Sequence, residues 1–155
     1  MTAAYTPTVA ASDDSAGASL HDIAHRAART GSRHAVVACD TVDGRLRVLP
    51  PGSASDDVLR QLAHGLRSTD FTMREPGGLF LVVLDRVRDL PDAVNVAERL
   101  SQSFESTEVV GARLCCGVTL VEFGESESSL VTRVSGALML AQGAGAGRVV
   151  SSPPL

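Results

Sequence analysis

Tryptophan is absent from this chain, and aromatic residues make up only 3% of it. The hydrophobic share is nevertheless 44%, so a core must be assembled from Val, Leu and Ala. No run of about 18 apolar residues occurs, which excludes a membrane-spanning helix. The first residues show no basic patch followed by an apolar run, so no secretory signal is expected. Basic residues are the minority: 14 Lys and Arg face 18 Asp and Glu, for a net charge of −4. That balance argues against a broad nucleic-acid or anionic-membrane surface, while leaving room for a local basic pocket. Cysteine is scarce as well. Cys39, Cys115 and Cys116 form an odd set without metal-ligand spacing, and the adjacent pair sits in an apolar run. Buried, reduced thiols in a cytoplasmic protein are the expectation.

What is present is one domain's worth of alternating elements. At 155 residues the chain can bury most of its apolar surface in a single core. Residues 1–18 are small, polar and aperiodic and read as a disordered tail, and 152–155 as a short extended tail, leaving 19–151 as the domain. Leu20, Ile23, Ala24, Ala27 and Ala28 recur at helical spacing over 19–30, with Ser19 as the N-cap. "HAVVACD" (34–40) is a continuous apolar run that suits a buried strand. "GRLRVLP" (44–50) alternates after "VDG" and reads as the second arm of a hairpin. A helix over about 55–67 follows, with a Ser/Asp cap and Val58, Leu59, Leu62, Ala63 and Leu66 on one face.

"DFTMRE" (70–75) and "GLFLVVLD" (78–85) flank a Pro76-Gly77 turn as a second hairpin. Helices are expected over 90–104 and 126–142, a buried strand over 112–123 and a last short strand in "RVVSS". The order α-β-β-α-β-β-α-β-α-β predicts an α+β fold: a central, mostly antiparallel sheet flanked by helices, of ferredoxin-like kind.

Chemistry-bearing motifs are few. The four histidines, His21, His25, His34 and His64, read as surface residues. His21 and His25 have metal-compatible i, i+4 spacing, but no third ligand is evident, and no metal site is expected. "GAGAGR" lacks both the strand-loop-helix context and the Gly-Lys-Ser/Thr ending of a phosphate loop. Asp40 and Asp43 close the first strand and read as turn caps. Arg67 and Asp70, three apart, read either as an ion pair closing a helix-to-strand corner or as a ligand site.

From about 34 to 150 the chain resembles GGDEF domains, the diguanylate cyclases that make cyclic di-GMP from two GTP. "SDDVLRQLAHGLRSTDFTMR" is similar to the family's helix and strand ahead of its signature. "REPGGLFLVVL" is similar to the signature region, with Pro76, Gly77, Gly78, Leu79 and Phe80 under the five letters. "DAVNVAERL", "CCGVTL" and "LVTRVSGALMLAQGAGAGRVV" resemble its later helix, strand and closing helix, in order. The resemblance implies a palm-type fold and the two-metal chemistry of a cyclase, and against that pattern several positions depart. The two acidic letters are Gly78 and Leu79, so the metal ligand and base of the turn are missing. Asp40 matches the other metal position. The family's phosphate-neutralising Lys is Gln142, and an aspartate of the closing helix is Ser135. The guanine-holding segment is replaced by "VDGRLRVLPPGSASDD", where only Asp56 matches. Removing one such charge stabiliser typically costs about a hundredfold or more in rate. The expectation is a domain without catalytic activity, metal or cofactor, in which Asp40, Asp56, Gly77 and Gly78 are remnants.

Many members of the family carry a product-inhibition motif, RxxD, ending five residues before the signature. Arg67-Ser68-Thr69-Asp70, then Phe71 to Glu75, then Pro76, has that register. A guanidinium can fork onto guanine O6 and N7, and a carboxylate can accept from its N1 and N2. Arg99 on the following helix matches a third position, and Arg74 adds positive potential. The resemblance therefore implies a bacterial regulatory module that binds cyclic di-GMP through Arg67, Asp70, Arg74 and Arg99. The alternative is a structural or protein-interaction domain, docking a protein partner or pairing as a homodimer without nucleotide; an active cyclase ranks last. No nucleic-acid or membrane partner is expected.

Overall fold

The computed structural model describes residues 31–104 and 113–152, together with Leu20, Asp22, Ile23 and Arg29. The expected tail 1–18 and the N-cap Ser19 lie outside the described residues, as do Ala24, Ala27, Ala28, His21 and His25. Among the described residues from 31 onward, five strands and three helices follow one another: β1 (Ala35–Asp40), α1 (Ser53–Ala63), β2 (Phe71–Arg74), β3 (Phe80–Leu84), α2 (Leu90–Ser103), β4 (Cys115–Leu120), α3 (Glu127–Ala144) and β5 (Val149–Ser151). The sheet order is β2-β3-β1-β4-β5; only β4–β5 is parallel. The fold is α+β with a mostly antiparallel sheet, as the element pattern predicts.

β1 explains the arrangement. All six of its residues are buried, because both its edges and both its faces are taken. Val37 stands opposite Val82 of β3 on one side and Val118 of β4 on the other. Strand alternation then separates two cores. Ala35, Val37 and Cys39 pack with Val58 and Leu62 of α1 and with Ala97 and Leu100 of α2. Val36 and Ala38 pack with Leu130, Val134 and Leu138 of α3 and with Leu20 and Ile23 of the N-terminal helical segment. Val58, Leu59 and Leu62, on the apolar face predicted for the first of these helices, are thus turned to the sheet.

One predicted element is not a strand. Residues 44–50 form turns, not a hairpin arm. A hairpin arm after β1 would need a free edge of β1, and β3 and β4 occupy both. Leu46 still enters the core, fully buried, so the alternation signalled one inward side chain rather than a ladder. α1 also starts earlier than predicted and without a Ser/Asp cap: Gly52 is its N-cap, with no side-chain hydrogen bond. The caps of the other two helices are side chains. Asp89 accepts from Asp92 N at 2.9 Å and Ser126 from Ser129 N at 3.1 Å. Ser152, placed in the tail by its sequence, donates its backbone N–H to Val118 O at 2.8 Å and prolongs the β5 edge.

Candidate functional site

The β2–β3 turn is built by its own residues. Gly78 N donates to Glu75 O and Glu75 N to Leu79 O, each at 2.8 Å. Pro76 takes the first turn position, and Gly78 sits at φ 97, where glycine relieves the strain of a left-handed residue. The space beside Gly78 is already filled: a Cβ there would stand 2.9 Å from Arg47 O. Leu79, the next residue, is buried in the second core.

The neighbour that fills this space is the 41–49 segment, and four groups fasten it. Asp40 Oδ1 accepts from Thr41 N at 2.7 Å and Leu46 N at 2.9 Å. Arg74 donates from Nη2 to Arg47 O at 3.1 Å and to Leu49 O, from Nη1 to Ser55 Oγ at 3.2 Å and from Nε to Gly78 O at 3.3 Å. Its guanidinium also lies over the Phe80 ring, 4.8 Å from the centroid. Gln142, from the end of α3, donates to Thr41 O at 2.9 Å. Leu46 supplies the buried anchor. Arg74 is therefore a structural clamp, and it lies away from the cleft to which its sequence position had assigned it.

Asp40 is 1% exposed. Burial pushes its carboxyl up from the ordinary aspartate value; the Leu46 and Thr41 N–H groups and Arg47, 4.0 Å away, oppose this in part. Among the described residues nothing donates a hydrogen bond to its Oδ2. A carboxyl held above its unfolded value stabilises the fold most below about pH 4 and loses that contribution as pH rises through the folded value. Asp40→Asn keeps an acceptor for both N–H groups without a charge. The expected result is a variant whose stability relative to wild type improves from pH 4 to pH 7, read from urea midpoints; a gap independent of pH would contradict it. Asp43, the other expected turn cap, accepts from Thr41 Oγ1 at 2.6 Å, which leads the causes lowering its carboxyl, and from Arg45 Nε at 2.8 Å. Asp56 is exposed in the first turn of α1.

The second candidate lies at the α1–β2 corner. Arg67, Asp70 and Arg99 line one cleft of about 190 Å³, with Leu66, Val96 and Asp92. Asp70 is buried and its carboxylate is well supplied with donors. Oδ2 accepts from Arg67 N at 3.0 Å and Arg67 Nε at 3.3 Å; Oδ1 accepts from Arg67 Nη2 at 3.2 Å and Asp85 N at 2.8 Å. Arg67 Nη2 donates further to the Asp85 and Arg86 carbonyls, the latter at 3.1 Å. The Asp70 hydrogen bond is the largest cause raising the Arg67 guanidinium above its ordinary value. The guanidinium side chain remains 57% exposed, so its outer face is open to solvent. The structure thus joins three of the four residues assigned to the ligand and separates the fourth, Arg74.

Sequence reasoning missed Asp85 and Arg86, which hold Arg67 through backbone atoms and so leave no side-chain signature. It also misplaced His34, which is fully buried against Asp85 rather than on the surface. His64 is exposed. Cys39, Cys115 and Cys116 are buried and free. Among the described residues no cluster of three or more His, Cys, Asp or Glu could hold a metal ion, and no helix is long and apolar enough to cross a membrane.

No family model matches the chain, and neither does any curated protein. Solved structures do. The diguanylate cyclase SiaD from Pseudomonas aeruginosa, in complex with its activator SiaC, is 26% identical over 90% of this chain with a TM-score of 0.70; the match spans 58% of that chain. The active GGEEF domain of a diguanylate cyclase from Vibrio cholerae is 21% identical over 90% of this chain and 95% of its own, at 0.69. The GGDEF domain of DgcB from Caulobacter crescentus, in complex with c-di-GMP, is 17% identical over 92% of this chain and 88% of its own, at 0.67. The chain has the fold of GGDEF diguanylate cyclase domains.

Proposed function

We propose that this chain, built on the fold of GGDEF domains, is a regulatory module that does not convert GTP. The observation that carries this reading is the seating of the 41–49 segment. Aligned on the family signature, the first acidic position is Gly78, and Arg47 O stands 2.9 Å from where its Cβ would lie. The second is Leu79, turned into the core. The groups matched to metal and phosphate, Asp40 and Gln142, instead fasten the segment through Leu46 N and Thr41 O. The residues do not fit a divalent-metal site. Mg²⁺ needs several hard oxygen ligands in tight geometry, and Asp40 is the one carboxylate at the positions matched to the metal ligands. A bacterial cytoplasmic setting is part of the same reading.

The cleft of Arg67, Asp70 and Arg99 is the place for cyclic di-GMP. Arg67 offers an exposed guanidinium face held in position by a buried carboxylate, and Arg99 adds a second cation without a salt-bridge partner among the described residues. Two guanidinium groups suit a phosphate or a guanine edge. A second reading has its own support. Asp70 accepts four hydrogen bonds from the protein, as a purely structural corner would. On that reading the fold serves docking of a protein or a second copy. Calorimetry with cyclic di-GMP and with GTP, on wild type and Arg67→Ala, separates them. The expected result is heat with cyclic di-GMP that falls at least about tenfold in affinity in the variant, the loss of one charged hydrogen-bonding group. Absence of heat with either ligand leaves the docking reading. Product from GTP and Mg²⁺ would overturn the non-catalytic reading.

A further inference from the structure

A carboxylate offers about four lone-pair sites, two on each oxygen. At Asp70 the protein itself fills all four: Arg67 N and Nε donate to Oδ2, Arg67 Nη2 and Asp85 N to Oδ1. Asp70 is also only 3% exposed. It has no acceptor left for the N1–H and N2–H edge of a guanine, and its work is to aim Arg67. The guanidinium is committed in the same way. Nε and Nη2 serve Asp70 and the Asp85 and Arg86 carbonyls, so among the described residues Nη1 is the nitrogen left open to a ligand. The Arg67 corner therefore supplies donors and no acceptor.

A carboxylate with free capacity lines the same cleft. Asp92 lies in the first turn of α2 and borders the cleft together with Arg67 and Arg99. Its Oδ2 accepts from Arg88 N at 3.0 Å, which closes the helix start and holds the side chain in place. Among the described residues nothing donates a hydrogen bond to Oδ1; Arg88 Nη2, 3.9 Å from it, belongs to a side chain that is 85% exposed. Asp92, Val96 and Arg99 recur at helical spacing on one face of α2. The same three residues also line an adjoining groove of about 420 Å³, so they form the rim between the two spaces. The Arg67 cleft alone, about 190 Å³, is smaller than the roughly 300–1,000 Å³ of ordinary ligand pockets. A ligand with two nucleobases that engages Arg67 therefore extends across this rim, past Asp92 and Arg99. Glu98, the other carboxylate of the groove, does not border the Arg67 cleft.

On the reading that this cleft takes cyclic di-GMP, we infer that Asp92, not Asp70, is the carboxylate that selects the base: it accepts from guanine N1–H and N2–H while Arg67 Nη1 and Arg99 hold phosphate. Adenine carries a bare N1 acceptor in place of the N1–H, and a carboxylate repels it. A site built on such a hydrogen bond rejects a ligand that lacks the donor. Calorimetry with cyclic di-GMP and cyclic di-AMP, which share their phosphates, on wild type, Asp92→Asn and Asp70→Asn tests this. Wild type is expected to favour the guanine ligand. In Asp92→Asn the amide oxygen can keep the Arg88 N–H and leaves an NH₂ group for the ligand. Cyclic di-GMP is then expected to weaken at least about tenfold, the loss of a charged hydrogen bond, while cyclic di-AMP does not weaken. Asp70→Asn disturbs the aim of Arg67 and is expected to weaken both ligands alike, with the preference kept. No binding of either ligand by wild type overturns both the cyclic di-GMP reading and the role of Asp92. Where wild type binds, the role of Asp92 alone is overturned if wild type takes both ligands equally, if Asp92→Asn binds cyclic di-GMP as wild type does or weakens both ligands equally, or if Asp70→Asn is the variant that erases the preference.

Discussion

Gly117→Ala is expected to cost about 3 kcal/mol, at the upper end of what overpacking a core usually costs. For a chain of this size the melting temperature would then fall by roughly 10 °C. Gly117 lies in the middle of β4, paired with Ala38 of β1 and Val150 of β5. A Cβ at this position would meet Leu138 N at 2.3 Å, Val134 O at 2.7 Å and Ala137 C at 2.8 Å. These are backbone atoms of α3, so no rotamer change can make room. The helix would have to lift from the sheet, separating Leu130, Val134 and Leu138 from Val36 and Ala38 in the second core. Gly136, on the exposed side of the same helix, is the control. Among the described residues nothing beyond its chain neighbours and its own helix backbone lies within 4 Å of its Cβ position, and Gly136→Ala should stabilise by about 0.5–1 kcal/mol through helix propensity. Thermal melts of the two single variants decide the matter. Equal behaviour of Gly117→Ala and wild type would show that α3 is not in close contact with β4.

How far the fold could be read in the chain follows from where its information sits. Runs such as "HAVVACD" and "GLFLVVLD" announce buried strands because a strand covered on both faces must be apolar throughout. β1 and β3 are those strands. A helix face was legible for the same reason: Val58, Leu59 and Leu62 repeat at helical spacing, and the sheet covers that side. The 44–50 segment misled because alternation is a local signal, whereas pairing depends on a free edge. That edge was used by β3 and β4, and β4 begins some seventy residues later.

The candidate site was legible in part for similar reasons. Arg67 and Asp70 stand close in sequence, and their corner could be drawn from spacing alone. Arg74 could not be placed, because its acceptors are the carbonyls of Arg47, Leu49 and Gly78 and the hydroxyl of Ser55. Backbone acceptors carry no residue code. His34 was read as a surface residue since a histidine at the start of a strand gives no sign of what covers it. Its burial comes from Asp85 and Arg86, more than fifty residues away.

Reinstating the two acids at the signature turn should unfold the protein rather than activate it. In Gly78→Asp/Leu79→Glu, the aspartate must adopt φ 97 with its Cβ 2.9 Å from Arg47 O. It can do so only if the turn or the 41–49 segment shifts, and Arg74 holds the two together through Gly78 O, Arg47 O and Leu49 O. The glutamate replaces a leucine that is 3% exposed. Truncating or replacing such a side chain already costs about 2–5 kcal/mol. An unpaired buried carboxylate adds several kcal/mol more, or forces the group to bind a proton. Domains of this kind are stable by only about 5–15 kcal/mol in total, so the double variant should lose cooperative folding near room temperature. The single Leu79→Glu variant should account for most of the loss, because Gly78→Asp can be relieved by movement of a surface turn. Circular dichroism melts measure the stability, and incubation with GTP and Mg²⁺ followed by chromatography measures any cyclic product. A double variant that folds as wild type does and makes cyclic di-GMP would mean that the 41–49 segment opens readily and makes room for both acids.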